Sequence, residues 1–268
     1  MSSSTPTEPV ESGPPETWPH HDLRARIVDA LAVMPAYFKP ETHIEGINAL
    51  DLHTLNSVLG ATIEDQAVAT LNSMRAVWDP DKRYSLYTFV RQAQTFPDVL
   101  LRRAPGATAA AAADDILLGI ELKGWFVLAK EGMPNFRFAV TPAACAPADL
   151  LVVVPWALSQ VISGRPIMFS PYTRSARYAA ERRNHWWEHQ RKAKGITTIT
   201  RPAGARPYPS KADRIDDQAD ADGGGNFGRF ARTGLMDEYI GQIHALSLCG
   251  VPIQAWLKFF QALGGRED

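Results

Sequence analysis

Two short segments of the sequence carry residue types that can do chemistry together. Asp98 follows Pro97 at the start of an apolar run, and Glu121, Leu122 and Lys123 close a second apolar run. Two carboxylates that converge can bind a divalent metal ion, and a nearby lysine can orient or deprotonate a water molecule. These are the groups that metal-assisted hydrolysis of a phosphodiester requires.

The residues before Lys123 occupy apolar positions in alternation, a period of two that is typical of a half-buried strand. Glu121 and Lys123 therefore share one face, about 7 Å apart along the strand. Asp98 directly follows a proline, at a position where strands commonly begin. The intervening segment 102–114 contains Pro105-Gly106 and can turn the chain into a hairpin. Such a hairpin would place Asp98 beside Glu121.

The pairing of Pro97-Asp98 with Glu121-Leu122-Lys123 resembles the Pro-Asp…(Asp/Glu)-x-Lys signature of the restriction-endonuclease-like nuclease superfamily. The resemblance extends over the segment 96–155. An alternative interpretation of Glu121 and Lys123 is a solvated strand face with a cross-strand ion pair, which needs no ligand.

The resemblance implies a Mg²⁺-dependent endodeoxyribonuclease acting on double-stranded DNA, most similar to type II restriction enzymes. Asp98, Glu121 and the carbonyl of Leu122 would bind Mg²⁺, and Lys123 would orient or deprotonate the attacking water. Glu64, on the preceding helix, is the candidate for a further metal ligand. A twofold homodimer would suit cleavage at a palindrome, and a cognate DNA methyltransferase could belong to the same system. The alternatives are a repair or recombination nuclease of this superfamily and a DNA-binding protein without catalysis.

The segment 174–214 is strongly basic, with eleven lysines and arginines against three acids. A helix predicted over 175–195 carries side chains that suit phosphate oxygens and base edges. A Gly-rich stretch at 223–228 is predicted to be a loop that contacts DNA. The residues predicted to bind DNA are Arg174, Arg177, Arg182, Arg183, Asn184, Lys211, Arg229 and Arg232. The other interpretation is a solvated basic helix without a partner.

A second motif within the basic helix suggests a different chemistry. His185, Glu188 and His189 match the His-x-x-Glu-His pattern of inverted zinc peptidases, and two histidines four residues apart share a helix face. The surrounding positive charge disfavours a metal ion, and Glu238 is the only candidate for a third ligand. We therefore interpret the motif as part of an interaction helix.

The composition of the chain limits the classes of protein to which these sites can belong. The chain has 268 residues, 45% apolar content and a net charge of −1, which suffices for one sizeable core. Cys145 and Cys249 lie in no metal-binding spacing, which favours a reducing cytoplasm. No apolar run approaches the roughly 18 residues of a membrane span. Residues 1–20, rich in Ser, Thr, Pro and Glu, are predicted to form a disordered tail.

The elements that must position the site follow from hydrophobic periodicity. Helices are predicted over 21–37, 62–78, 155–158, 235–248 and 253–263. Strands are predicted over 98–102, 115–123, 136–140, 150–154 and 166–170. Residues 84–94 are ambiguous, and 200–234 is predicted to be a long loop.

This order of elements predicts an α/β (α+β) fold with a mixed five-stranded central sheet flanked by helices, the core that the resemblance also implies. We expect one nuclease domain over 21–268. Within it, 21–95 would be an N-terminal helical part and 96–170 the catalytic sheet core. The remaining part, 171–268, would bind DNA and contain the last helices.

Overall fold

The computed structural model describes residues 6–49, 55–92, 94–104, 115–191, 197–220, 222 and 225–264. The α-helices in this part of the chain are α1 (His21–Tyr37), α2 (Leu55–Ser73), α3 (Arg75–Trp78), α4 (Ala176–His185), α5 (Asp237–Ala245) and α6 (Ile253–Gly264). The strands are β1 (Tyr87–Arg91), β2 (Val99–Arg103), β3 (Ile116–Phe126), β4 (Leu150–Leu158), β5 (Pro166–Met168), β6 (Tyr172–Ser175), β7 (Ile199–Thr200), β8 (Gln218–Ala219), β9 (Ser247–Leu248) and β10 (Val251–Pro252).

The central sheet has the order β1-β2-β3-β4, with β5 and β6 both paired to the outer edge of β4. Neighbouring strands are antiparallel except for β3 and β4, which are parallel. Because β6 pairs with 150–153 and β5 with 156–158, these two short strands follow one another along the same edge. The sheet is therefore mixed and five strands wide, and the predicted mixed α/β class is confirmed.

Strand β4 is the centre of the core, since all nine of its residues are buried. The sequence analysis predicted a helix over 155–158, and this is wrong. The strand continues through Pro155 because Trp156 pairs with Met168 of β5 and its ring packs against Phe126 at 4.8 Å between centroids. Burial of the aromatic ring on the neighbouring strand outweighs the local tendency of proline to end a strand.

Helix α2 covers one face of the sheet, and α1 packs against α2 and α3. Helix α1 has the predicted bounds and buries one apolar stripe, and α2 packs against β3 and β1. Helix α2 begins at Leu55, earlier than the predicted Thr62. Its Asn72 side chain exchanges two 2.9 Å hydrogen bonds with the backbone of Phe89. This contact ties α2 to the edge strand β1, which resolves the ambiguous segment 84–94 as a strand.

Two further predictions differ from the structure. Residues 136–140 form only single bridges, from Arg137 to Arg229 and from Val140 to Asp216, so they add no strand to the central sheet. The predicted helix 175–195 is α4 followed by a π-helical turn at Trp186–Gln190, and 192–196 lie outside the described residues. In the part of the chain that the structure describes, no helix is long and apolar enough to cross a membrane.

Candidate active site

The pairing of β2 with β3 brings the two segments of the signature together. Val99 lies opposite Ile120, so Asp98 is placed beside Glu121 at the start of β2. The Asp98 N–H donates to Glu121 Oε2 at 3.3 Å, and the Leu122 N–H donates to Asp98 Oδ2 at 3.1 Å. These reciprocal backbone bonds fix both carboxylates relative to the strand, as the predicted hairpin requires.

Lys123 joins the two acids. Its Nζ atom lies 2.9 Å from Asp98 Oδ2 and 2.8 Å from Glu121 Oε1. The side chains of Asp98 and Lys123 are 24% and 22% exposed, whereas that of Glu121 is 9% exposed. Because Glu121 is buried, the alternative of a solvated strand face does not describe this arrangement. We call these three residues the carboxylate–lysine cluster.

Burial and mutual charge set the protonation of this cluster. Burial raises the pKa of Glu121 above its ordinary value; the Lys123 ammonium opposes this shift, and Asp98 reinforces it. Burial also acts to lower the pKa of Lys123, but Glu121 and Asp98 raise it overall. Lys123 therefore stays protonated at neutral pH while both carboxylates surround it, and it acts as a hydrogen-bond donor.

A glycine on β3 explains how Pro97 can lie so close to that strand. A Cβ atom at Gly119 would lie 2.2 Å from Pro97 Cγ and 3.0 Å from Asp149 Oδ1, so only glycine fits between these two residues. The proline ring thus rests on the backbone of β3, two residues before Glu121. This contact positions Asp98 at the beginning of β2.

Asp149, which the sequence analysis did not select, fixes the same strand from the other side. Its Oδ1 accepts hydrogen bonds from Gly119 N at 2.7 Å and from the Tyr208 hydroxyl at 3.3 Å. Its Oδ2 accepts one from Ala146 N at 2.7 Å. Burial raises the pKa of this carboxyl to about 6. An acid directly before the continuous apolar run of β4 was the available sequence signal for this support.

Glu64 lies on α2 next to the cluster, and its carboxylate oxygens already have partners. Oε1 accepts from Gly124 N at 3.3 Å, and Oε2 pairs with Arg91 Nη2 at 3.3 Å. Burial raises the pKa of Glu64, with a further contribution from Asp98. The structure therefore brings Glu64 to the same end of the sheet, but with its oxygens directed to groups outside the cluster.

A cavity of about 680 Å³ opens beside Asp98 and Glu121. One wall comes from the β1–β2 connection and β3, and the other comes from segments around 137–140 and 215–227. The second wall contributes Arg137, Asp216 and Asp222. The cluster is thus at the edge of a concave, polar space, which is where substrate sites are usually found.

The donor atoms of the cluster suit Mg²⁺ better than a transition metal. Among the described residues, no group of three His, Cys, Asp or Glu side chains is placed to hold a metal ion. However, Asp98 and Glu121 both approach one cationic atom, the Lys123 ammonium. Mg²⁺ commonly keeps several waters and uses only one or two protein carboxylates, so two such acids are a sufficient set.

Comparison of this chain with protein-family models, with curated proteins and with solved structures gave no match. The geometry of the site is therefore the basis for assigning a function.

The histidine motif does not form a zinc site in this structure. Its rings are 5.0 Å apart between centroids, within or next to the π-helical turn. His185 Nε2 lies 3.4 Å from the Pro6 carbonyl, and Glu188 pairs with Arg201 at 3.2 Å. The acid that would complete the motif thus binds an arginine, and the described residues offer no third ligand there.

Arg183 and Asn184 were predicted to bind DNA, and the structure contradicts this. Arg183 is fully buried, with Nη1 donating to the carbonyls of Phe138 and Val140 at 2.6 and 2.9 Å. Arg183 Nη2 and Asn184 Nδ2 each donate to Asp217 Oδ2 at 2.7 Å. This face of α4 points to the interior because Asp217, far along the chain, supplies a buried counter-charge.

The exposed face of α4 is covered in part by the N-terminal segment. Arg182 pairs with Glu8, and Arg174 lies 3.6 Å from Glu11. Glu11 also accepts a 2.7 Å hydrogen bond from the Ser175 N–H at the N-terminus of the helix. Part of the tail predicted to be disordered therefore contacts β6 and α4 through Glu8 and Glu11, although most of residues 6–20 are exposed. Residues 1–5 lie outside the described residues.

The other predicted DNA contacts differ in exposure and in their hydrogen-bond partners. Arg177 donates to the Cys145 carbonyl at 2.7 Å and is half-buried. Lys211 is exposed. Arg229 donates to Asn135, and Arg232 donates to Asn226 Oδ1 at 2.5 Å. Gly223 and Gly224 of the predicted Gly-rich loop lie outside the described residues.

Proposed function

We propose that this protein is a Mg²⁺-dependent endodeoxyribonuclease with a restriction-endonuclease-like core. The observation that carries the proposal is the convergence of Asp98, Glu121 and Lys123 at the edge of a concave polar space. Asp98 directly precedes β2, and Glu121 and Lys123 lie on β3. Hydrogen bonds from the backbone N–H groups of Asp98 and Leu122 hold the two carboxylates in place. A solvated ion pair would not require a buried carboxylate. Desolvation of a carboxylate costs free energy, so its burial here indicates a functional or structural role.

In this proposal, Asp98 and Glu121 hold Mg²⁺ together with the Leu122 carbonyl. The bound metal ion supplies positive charge that stabilises charge developing on the phosphate. Lys123 remains protonated next to the carboxylates, so it donates a hydrogen bond that orients the attacking water or a phosphate oxygen. Glu64 supports β3 by accepting a hydrogen bond from Gly124 N. To act as a metal ligand, its carboxylate would have to leave Gly124 N or Arg91.

The finer proposal is a type II restriction enzyme that acts on double-stranded DNA as a homodimer, alongside a cognate methyltransferase. A cytoplasmic location belongs to the same proposal, and the two unpaired cysteines support it. The cations proposed to contact the DNA backbone are the exposed Lys211 and Arg232, Arg174 on β6 and Arg182 on α4. Discrete fragments from a long duplex would support this specificity, whereas cleavage at mismatches or branches would favour a repair nuclease.

The decisive experiment is plasmid cleavage by the purified full-length protein with Mg²⁺. We expect cleavage by the wild type and a loss of at least about a hundredfold in rate for Asp98→Asn and Lys123→Ala. Arg165→Ala is the matched control, because Arg165 adjoins β5 at the opposite end of β4. DNA binding without metal should persist in all variants. Wild-type cleavage rates in both site variants would overturn the proposal.

The second candidate is a DNA-binding protein without catalysis. The observation that favours it is the Lys123 ammonium, which already lies between both carboxylates and compensates their charge. In this case, addition of Mg²⁺ would neither change the thermal stability of the protein nor lead to cleavage of DNA. The salt dependence of DNA binding would be the main signature.

A further inference from the structure

The wall of the cavity that faces the cluster carries one arginine whose role the proposed function does not explain. Among the described residues that line the cavity, Arg137 is the only lysine or arginine, and the acids are Asp98, Glu121, Asp216, Asp217 and Asp222. We propose that Arg137 binds a phosphate of the DNA strand and so positions this strand against the carboxylate–lysine cluster. This inference rests on the proposed function and names a contact within that substrate site.

The guanidinium of Arg137 has no competing partner in the described part of the chain. Other arginines of the chain are engaged in ion pairs: Arg183 binds Asp217, Arg201 binds Glu188 and Arg91 binds Asp65. No such ion pair or side-chain hydrogen bond is formed by Arg137 with any described residue, and its side chain is exposed. Its planar set of donors is therefore available for bidentate binding to phosphate oxygens.

The backbone around Arg137 holds the side chain in place. Arg137 forms an antiparallel bridge with Arg229, and Phe138 N donates to the Gly228 carbonyl at 2.6 Å. Gly225 has a φ of +60°, and a Cβ atom there would lie 2.5 Å from Arg137 Nη2. The guanidinium thus rests on a glycine, where a side chain would displace it.

The charge of the cavity explains why a cation is needed at this position. A DNA phosphate that approaches Asp98 and Glu121 must also pass Asp216 and Asp222, and the carboxylates repel it. Arg137 provides positive charge on the wall that faces the cluster, and the Lys123 ammonium lies within the cluster beside Asp98 and Glu121. Because a cavity of about 680 Å³ is in the size range of small-ligand pockets, it admits a short segment of one strand.

The test uses the full-length protein with Arg137→Gln, which removes the charge at similar side-chain length, and Arg137→Lys, which retains it. Binding of a fluorescent duplex oligonucleotide is measured by anisotropy in EDTA over a series of KCl concentrations. We expect Arg137→Gln to weaken binding about tenfold and to reduce the salt slope by about one, with Arg137→Lys intermediate. Arg165→Gln, which removes an exposed arginine at the far end of β4, should bind as the wild type does.

Cleavage kinetics separate this inference from the proposed function. If the wild type cuts DNA, Arg137→Gln should raise KM more than it lowers kcat, at an unchanged melting temperature. Equal binding and equal KM for Arg137→Gln and Arg165→Gln would overturn the role of Arg137 and leave the nuclease proposal intact. If the wild type does not cut, a reduced salt slope for Arg137→Gln still supports the phosphate contact, while the nuclease proposal fails.

Discussion

The carboxylate–lysine cluster and helix α4 are the two regions whose residue types suggested function, and they use their charges differently. In the cluster, the Lys123 ammonium lies within 2.9 Å of both selected carboxylates, and both acids line a cavity. On α4, Arg183 is buried against Asp217, and Arg182 pairs with the acidic N-terminal segment, as does Arg174 on the preceding strand β6. The same kinds of residue thus form a site in one region and hold the chain together in the other.

The difference follows from what decides, in a strand pair and in a helix, which side chains meet and which are buried. In a hairpin, the register of two neighbouring strands decides which side chains meet, and this register is encoded within a few residues. On a helix, the buried face depends on whatever segment packs against it. Asp217 is 34 residues from Arg183 in sequence, so the inward position of this arginine could not be derived from the helix alone.

Replacing Arg183 by alanine tests this comparison, and we expect it to have the largest effect on the free energy of unfolding. The variant leaves Asp217 buried without its main partner and removes the bonds to two carbonyls, so we expect a loss of about 3–5 kcal/mol in the free energy of unfolding. Denaturant unfolding measures it. Arg174→Ala, which removes a 45% exposed side chain paired with the 37% exposed Glu11, should cost no more than about 1 kcal/mol. Equal costs for the two variants would contradict the assigned difference.

Asp149 links the two regions, and its replacement by asparagine has the next largest effect. Its side chain accepts from Gly119 of β3, and its carbonyl accepts from Ala176 N at the start of α4. Asparagine directs an NH₂ group at one of two buried N–H donors, which should cost about 1–3 kcal/mol. Asp29→Asn, on the exposed side of α1, is the control for the loss of one carboxylate.

The pH dependence of stability provides a second measurement on Asp149. Burial raises the pKa of its carboxyl from 3.8 to about 6, so the folded protein binds this proton more tightly than the unfolded chain does. The contribution of Asp149 to the free energy of unfolding must therefore fall as the pH rises between these two values. Asp149→Asn should remove this part of the pH profile. An unchanged slope would show that other groups are responsible for it.

The parts of the site that were predictable are those encoded locally. The alternation before Lys123 and the Pro-Gly turn signal were enough to pair Asp98 with Glu121 and Lys123. The alternation also predicted a half-buried strand, whereas β3 is buried over most of its length because both of its faces are covered: α2 packs on the face of Gly124, and Pro97 and Asp149 lie on the face of Gly119.

The parts that were missed depend on contacts between distant segments. Arg137 lies in a segment predicted as a strand of the central sheet, and it borders the cavity because 215–229 pairs with it instead. The sequence signal for Asp149 is its position directly before a continuous apolar run, which does not reveal the strand that it supports. Its role appears only when Gly119, 30 residues away, is placed beside it.

Lys123→Ala should separate metal binding from catalysis in the cluster. The ammonium lies at hydrogen-bond distance from both carboxylates, so a metal ion has to compete with it for them. Its removal should increase the affinity for Mg²⁺ about tenfold while cleavage is lost. Calorimetric titration measures the affinity, and Asp98→Asn should lower it. A Mg²⁺ affinity that falls in Lys123→Ala would show that the lysine assists binding of the metal ion instead of competing with it.

The smallest expected effect concerns the acidic segment on α4. Glu8→Gln with Glu11→Gln removes the acids that pair with Arg182 and Arg174, and the freed cations would then face solvent. Because exposed ion pairs contribute at most about 1 kcal/mol, we expect DNA affinity to increase about two- to fivefold in an anisotropy titration. Glu16→Gln with Glu41→Gln removes equal charge from exposed acids. If both double variants gain equally, overall charge explains the effect, and α4 is not the surface that binds DNA.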